Sequence, residues 1–260
     1  MKYSTLILIL IISMNFNLHS SNYSFNENTE TVLITTASVM GLAVQMSRGE
    51  YEPLTEYKIE ELMKKELLGI NRFAVQNYND NTALVSDILL GICLAVPAIQ
   101  IFDERVKPEW GIYGLMYLET GMLSVGTTQI VKNIFQQPRP YIYNPDVPIE
   151  MKMTKDARQS FFSGHSCLAF AGMTFFAESY SKYYPDNSNH NIIWLGSMSL
   201  AATTALLRVL SGRHFPVDIL IGSAVGFAVG KIIPHLHESR NAQIPNEFIN
   251  NRIIAISFNL

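Results

Sequence analysis

Six long apolar segments, separated by prolines, restrict the possible folds of this chain more than any other feature of its sequence. The segments cover residues 31–47, 84–102, 111–131, 165–180, 192–210 and 217–233. They are rich in Ala, Leu, Ile, Met and Gly and lack the alternation of a strand, which favours helices. Prolines mark their ends, at Pro53, Pro108, Pro138, Pro140, Pro185, Pro216 and Pro234. The sequence therefore predicts an all-α protein built on a six-helix bundle.

The lengths of these segments suit a lipid bilayer. Helices of 16 to 21 residues would be about 24–32 Å long, close to the ~30 Å hydrocarbon core of a membrane. Charged residues make up 16% of the chain, below the ~25% of typical soluble domains. We therefore expect a multi-pass membrane protein, with an exported soluble bundle as the alternative. In both cases Glu119, Glu178 and Arg208 should face the interior of the bundle.

The two ends of the chain differ from the apolar middle. Lys2 precedes a short apolar run over residues 6–12, and polar residues follow, which is typical of a secretory signal peptide. We divide the single expected domain into a predicted signal peptide (1–20), a first helix with a charged amphipathic linker (21–82), a core (83–234) and a C-terminal tail (235–260). In the linker, Glu60–Lys64 and Glu61–Lys65 are spaced to pair on one helix. The net charge of −3 gives no reason to expect a nucleic-acid partner.

One polar stretch, RVLSGRHFPVD over residues 208–218, carries a histidine and a carboxylate at helical spacing. Pro216 fits the first turn of a helix, which would place Asp218 where it can accept a hydrogen bond from Nδ1 of His214. That contact would leave Nε2 of His214 free to attack an electrophile. Arg208 adds a guanidinium suited to phosphate oxygens. Alternatively, His214 caps a helix and Asp218 pairs with a nearby cation.

Two further polar stretches lie at the ends of apolar segments. In SGH, Ser163 can cap a helix, Gly164 lets the backbone approach an anion, and His165 can protonate a leaving oxygen. In KNIFQQPRP, Lys132 and Arg139 supply two cations. Taken singly, each set fits an ordinary helix cap or a surface cation. Together, in a chain poor in charge, they indicate a site that binds phosphate.

Other charged groups give weaker evidence of a functional role. Lys152, Lys155 and Arg158 could meet a second phosphate, but a solvated face of the loop over residues 136–162, which has no helical period, is the simpler interpretation. His235 and His237 lack an evident third ligand and are expected to face solvent rather than to bind zinc.

The order and spacing of the polar stretches resemble the type 2 phosphatidic acid phosphatase and vanadium haloperoxidase superfamily. That family has Lys, six residues and Arg-Pro, then Pro-Ser-Gly-His, then Ser-Arg, five residues, His, three residues and Asp. This chain departs from the pattern at two positions, where Phe162 replaces the proline and Leu207 replaces the serine. Neither departure removes a catalytic role, although the missing hydroxyl would weaken one phosphate contact.

The resemblance implies a fold, a reaction and a set of roles. The family has the acid phosphatase and haloperoxidase type of helical core, and this chain is most similar to its membrane-associated lipid phosphatases. His214 would be the nucleophile that forms a phosphohistidine, Asp218 would orient it, and His165 would protonate the leaving group. The phosphoryl oxygens would be held by Lys132, Arg139, Ser163, Gly164 and Arg208. No metal and no cofactor are expected in this site, because the cations stabilise the charge.

The expected substrate is a phosphate monoester or diphosphate, most simply of a lipid. An exported, non-specific acid phosphatase is the alternative, and a catalytically silent envelope bundle is a remote one. The expected location is the cell envelope, either in the membrane with the site facing the periplasmic or extracytoplasmic side, or soluble in the periplasm. The sequence leaves the oligomeric state open.

Overall fold

The computed structural model describes residues 22–47, 52–65, 67 and 69–239 of the 260-residue chain. The predicted signal peptide lies outside these residues. So does the C-terminal tail from residue 240 onward.

Nine α-helices form this part of the protein, and six of them are long. In chain order they are α1 (Glu27–Ser47), α2 (Glu56–Met63), α3 (Ile70–Gln76), α4 (Asp80–Ile99), α5 (Trp110–Phe135), α6 (Ile149–Lys152), α7 (Gly164–Tyr183), α8 (His190–Leu210) and α9 (Pro216–Leu236). The six long helices, α1, α4, α5, α7, α8 and α9, coincide with the six apolar segments. Within the described residues the only β pairing is one isolated bridge between Tyr23 and Glu238. The predicted all-α class is confirmed.

Local signals in the sequence set where several helices begin. Asn79 caps α4 by accepting a hydrogen bond from the Thr82 N–H at 2.9 Å, and Ser163 caps α7. Pro216 occupies the first turn of α9, as predicted. Pro234 does not end that helix, because α9 continues to Leu236. Proline lacks only its own N–H, so the residues that follow it can still donate to carbonyls one turn earlier.

Helix α7 lies at the centre of the bundle and packs closely against α9. The glycines Gly222, Gly226 and Gly230 of α9 face Ser163, Cys167 and Ala171 of α7 respectively. A Cβ at Gly222 would lie only 2.5 Å from the Ser163 carbonyl oxygen, so no larger residue fits without moving a helix. The residue numbers of the glycines and of the residues they face increase in the same direction, so the two helices run parallel. Their N-termini therefore lie side by side at one end of the bundle.

The charged linker and the long loop differ from expectation. Helix α2 ends at Met63, before Lys64 and Lys65. The expected Glu60–Lys64 and Glu61–Lys65 pairs therefore do not form, and Glu61 pairs with Lys58 at 2.8 Å instead. The loop over residues 136–162 holds two 3-10 turns and the short helix α6. Part of it is buried against α2 in a cluster of Leu54, Ile59, Leu62, Tyr141, Ile142, Val147 and Ala157. Burial of apolar side chains, rather than helical periodicity, orders this loop.

Three helical segments of the described chain are long and apolar enough to cross a membrane. They are Asp80–Phe102, His190–Leu210 and Pro216–Leu236. Many of their large apolar side chains point away from the protein, including Leu84, Ile88, Ile92, Leu195, Leu206, Leu220 and Ile232. Such outer faces are suited to lipid, which supports membrane association. Glu119 and Arg208 are buried as predicted, and Glu178 is half-buried and pairs with Lys231 at 2.8 Å.

Candidate active site

The three polar stretches meet at the end of the bundle where α7 and α9 begin and where α5 and α8 end. The Ser163 N–H donates to the Asp218 carbonyl at 3.0 Å, which ties the second stretch to the third. Arg139 approaches His214 at 3.3 Å, which ties the first stretch to the third. The second and third stretches are far apart in sequence, and the parallel packing of α7 and α9 brings them together.

His214 is buried in the turn between α8 and α9, with 1% of its surface exposed. Its Nε2 lies 3.3 Å from Nη1 of Arg139. Because a guanidinium group only donates, Nε2 must be the acceptor and the ring proton must be on Nδ1. Burial lowers the pKa of His214 well below its usual value of 6.5, and the charges of Arg139 and Lys132 lower it further. His214 is thus a neutral imidazole whose Nε2 lone pair faces the cations of the site.

Asp218 lies behind His214 and is completely buried. Its Oδ2 accepts hydrogen bonds from the Ser160 hydroxyl at 2.5 Å and from the Phe215 N–H at 2.9 Å. The distance from Oδ2 to Nδ1 of His214 is 3.6 Å, longer than a hydrogen bond. The predicted pair is therefore adjacent but not hydrogen-bonded in this structure, and catalytic contacts often shorten only when substrate binds.

Arg139 is held rigidly by the loop that carries it. Its Nε donates to the Asp156 carbonyl at 2.9 Å, its Nη2 to the Asp156 carboxylate at 2.7 Å, and its Nη1 to the Arg213 carbonyl at 3.2 Å. Only 5% of Arg139 is exposed. The guanidinium is therefore fixed next to Nε2 of His214 before any ligand arrives.

Asp87, which the sequence analysis missed, connects two of the predicted site residues. Its Oδ1 lies 2.7 Å from Nε2 of His165 and accepts from Nη1 of Arg208 at 3.0 Å. The buried Nε of Arg208 has no hydrogen-bond partner among the described residues. A signal for Asp87 existed, because it is the only acidic or basic residue in the apolar segment 84–102, and such residues are usually functional.

Ser163, Gly164 and Lys132 form the remaining part of the site. The Ser163 hydroxyl oxygen accepts from the Ser166 N–H at 3.3 Å and from the Ser166 hydroxyl at 3.0 Å, so the predicted cap is present. A Cβ on Gly164 would lie 3.2 Å from Cγ2 of Thr128 and 3.8 Å from Nζ of Lys132. The ammonium group therefore lies near the first turn of α7, where backbone N–H groups lack partners within the helix.

Two expectations about other charged residues were wrong. Lys152 does not face solvent: it is 2% exposed, and its Nζ donates to the Asn144 carbonyl at 2.6 Å. Lys155 is exposed as expected, while Arg158 is half-buried and donates to the Glu52 carbonyl at 2.7 Å. His237 is also buried, with 1% of its surface exposed. Each residue also meets a partner distant in sequence, Met63 for Lys152 and Glu30 for His237, so the local pattern gave no sign of its burial.

Comparison with known families agrees with this geometry. The profile of the PAP2 superfamily matches residues 112–242, half of the chain, and includes every predicted site residue. The chain belongs to the PAP2 superfamily. The predicted family is thereby confirmed, and Asp87 precedes the matched region of this PAP2 protein whereas its partners His165 and Arg208 lie within it.

Several PAP2 relatives are similar over part of this chain. A probable diacylglycerol pyrophosphate phosphatase 1 of Schizosaccharomyces pombe is 26% identical over 55% of the chain and 61% of that protein. A lipid A 1-phosphatase of Porphyromonas gingivalis is 34% identical over 29% of the chain and 16% of that protein. The chain thus spans less than two thirds of the length of these relatives. A crystal structure of a transmembrane PAP2 type phosphatidylglycerolphosphate phosphatase from Bacillus subtilis matches with 17% identity and a TM-score of 0.47, covering 91% of this chain and 96% of that one.

Proposed function

We propose that this PAP2 protein is a metal-independent phosphatase that hydrolyses a phosphate monoester or diphosphate of a lipid through a phosphohistidine intermediate. The observation that supports it most is the position of Nε2 of His214, 3.3 Å from Nη1 of Arg139. A neutral imidazole has its Nε2 lone pair beside the fixed guanidinium of Arg139. An anionic phosphoryl group drawn to that cation would meet the lone pair at the same place.

In the first step, Nε2 of His214 attacks phosphorus and forms the N–P bond as the bond to the leaving oxygen breaks. The leaving oxygen takes the electron pair and receives a proton from His165. The ring of His214 becomes cationic, and Asp218, 3.6 Å from Nδ1, stabilises that charge. In the second step a water attacks phosphorus, His165 takes the proton of the water, and the N–P bond breaks to release phosphate.

The cations of the site have the role of stabilising charge on the phosphoryl oxygens. We assign this role to Lys132, Arg139 and Arg208, together with the Gly164 N–H and Ser163 at the start of α7. Preorganised donors of this kind account for much of the rate in phosphoryl transfer. Asp87 acts as a positioning residue, because one oxygen holds both His165 and Arg208.

A lipid substrate is supported by where the site lies. His214 and Asp218 are at the ends of α8 and α9, two of the three described helical segments apolar enough to cross a membrane. A headgroup phosphate at the membrane surface would therefore reach the site while its acyl chains stay in lipid. Relatives named for diacylglycerol pyrophosphate and lipid A point to the same class. We place the site on the periplasmic or extracytoplasmic face of the envelope and the phosphatase core within residues 83–234.

A substrate panel tests this function. Purified protein in mixed micelles is assayed for phosphate release from diacylglycerol pyrophosphate, phosphatidate, lipid A and p-nitrophenyl phosphate. We expect kcat/KM to be at least tenfold higher for one of the lipids than for the soluble ester. Equal values, together with release of the protein from membranes by carbonate, would favour the soluble acid phosphatase. No turnover of any of them would favour the silent bundle.

A further inference from the structure

A buried cluster of two glutamates and one histidine lies outside the phosphate site. It consists of Glu30 from the first turn of α1, Glu119 from α5 and His237 just after α9. Their exposed fractions are 3%, 6% and 1%. One potential ligand atom from each lies within 4.8 Å of the others. Three titratable groups so close together and so far from water require a compensating partner.

The hydrogen bond on the far side of His237 fixes which ring nitrogen faces the glutamates. Nδ1 lies 2.9 Å from the Ile233 carbonyl oxygen, which can only accept, so Nδ1 carries a proton. Nε2 lies 2.8 Å from Oε1 of Glu30 and 3.4 Å from Oε2 of Glu119. In a neutral imidazole, the Nε2 lone pair would point at carboxylate oxygens. A cation must therefore lie between them, either a proton or a metal ion.

A single proton on Nε2 leaves most of the cluster unsatisfied. Oε2 of Glu30 and both oxygens of Glu119 make no hydrogen bond to any described residue. An imidazolium ion also balances only one of the two carboxylates, so a cluster without metal needs a second proton shared between Glu119 and Glu30. A divalent cation would balance both charges and contact the oxygens that lack a donor. A histidine whose Nδ1–H donates to a backbone carbonyl is also the usual arrangement for binding a metal through Nε2.

We propose that Glu30, Glu119 and His237 bind one divalent transition-metal ion, such as Zn²⁺ or Mn²⁺, in a structural site. One imidazole nitrogen and two carboxylates suit these ions. Ligand atoms ~2.0–2.2 Å from a common ion lie roughly 2.9–3.6 Å apart. The distances of 2.8 and 3.4 Å from Nε2 match that spacing to within about 0.1 Å.

The site is separate from the chemistry on phosphate. His237 follows Asp218 by nineteen residues along α9, which at 1.5 Å per residue places it about 28 Å away. The ion would fasten α1 and α5 to the end of α9 at the opposite end of the bundle from His214. The expectation of a metal-free reaction concerns the phosphate site and is unaffected.

Metal analysis of the purified full-length protein tests this proposal. Wild type, Glu119→Gln and Glu109→Gln are freed of loosely bound metal, and zinc and manganese per chain are measured by mass spectrometry. Glu109→Gln is the matched control, because Glu109 is also buried and accepts from the Tyr183 hydroxyl outside the cluster. We expect about one ion per chain in wild type and control. In Glu119→Gln we expect at least tenfold weaker binding of added Zn²⁺ and no rise in Tm with ZnCl₂.

Three results would overturn it. The first is wild-type protein that holds neither metal and whose Tm is unchanged by ZnCl₂ or MnCl₂, which would leave a proton-linked charge cluster. The second is equal binding by Glu119→Gln and wild type. If Glu119→Gln does not fold, X-ray absorption at the metal edge of the wild type decides instead. We expect that spectrum to show one imidazole among oxygen ligands. The third contradicting result is a spectrum that shows sulfur ligands or several imidazoles.

Discussion

Replacing Gly226 by alanine should misplace the catalytic groups without touching them. Gly226 lies where α9 contacts α7 most closely. A Cβ there would overlap the Cys167 carbonyl oxygen and lie 2.8 Å from its carbonyl carbon and 3.0 Å from the Ala171 nitrogen. All three atoms belong to the backbone, so no side chain can rotate to make room. The two helices must therefore separate.

The size of that separation follows from ordinary contact distances. Carbon atoms in van der Waals contact are about 3.5–4.0 Å apart, so the 2.8 Å approach must open by about 1 Å. Helix α7 carries Ser163, and α9 carries Asp218. A shift of ~1 Å in a catalytic site lowers the rate about 10²-fold, and overpacking typically costs 1–3 kcal/mol of stability. We expect both a ~10²-fold lower kcat/KM and a lower Tm in detergent.

Gly196→Ala is the matched control, because Gly196 lies within α8 and a Cβ there would meet nothing within 4 Å. It should keep wild-type kcat/KM and gain up to ~1 kcal/mol of stability from the better helix propensity of alanine. If Gly226→Ala and Gly196→Ala have the same kcat/KM and Tm, the close packing of α7 on α9 does not position the site.

Three further predictions concern the site itself. Asp87→Asn should lower kcat by about 10–10² for an alkyl phosphate and much less for p-nitrophenyl phosphate, since its partner His165 matters most for a poor leaving group; equal losses would indicate only a structural role. Arg139→Lys should lower kcat/KM about 10²-fold and also lower Tm, because an ammonium group cannot keep the buried contacts of the guanidinium with Asp156 and Arg213; wild-type kinetics would remove Arg139 from the site. The pKa of His214 is lowered on folding. As pH falls, the imidazole is therefore protonated in the unfolded state before it is protonated in the folded state. The free energy of unfolding should therefore fall below pH 6.5 by up to ~1.4 kcal/mol per pH unit, and His214→Gln should lack that part of the slope.

The helical core was predictable because its signals are local. Apolar segments of helical composition, ended by prolines, gave all six long helices to within a few residues. The close approach of α7 and α9 was equally present in the sequence, as glycines four residues apart at Gly222, Gly226 and Gly230. This glycine pattern can be interpreted only once the facing helix is known, because a glycine in a helix does not indicate which helix packs against it.

The residues that escaped prediction all depend on contacts between distant parts of the chain. Asp87 reaches His165 and Arg208 from another helix. The Lys152 ammonium group is buried against the Met63 sulfur, 89 positions away, and His237 is buried because Glu30, 207 positions away, faces it. Burying a charge is favourable only with a partner, and the partner is set by the tertiary fold. Motif spacing could identify the phosphate-binding groups but not the residues that hold them.

Trapping the covalent intermediate tests the central role of His214 most directly. Wild-type protein is mixed with labelled lipid phosphate, quenched within milliseconds in alkali, where phosphohistidine survives, and digested for mass spectrometry. We predict a phosphoryl group on the peptide containing His214, none in His214→Gln, and loss of phosphate release in that variant. Phosphate on His165 instead, or steady phosphate release by His214→Gln, would contradict the assignment of the nucleophile.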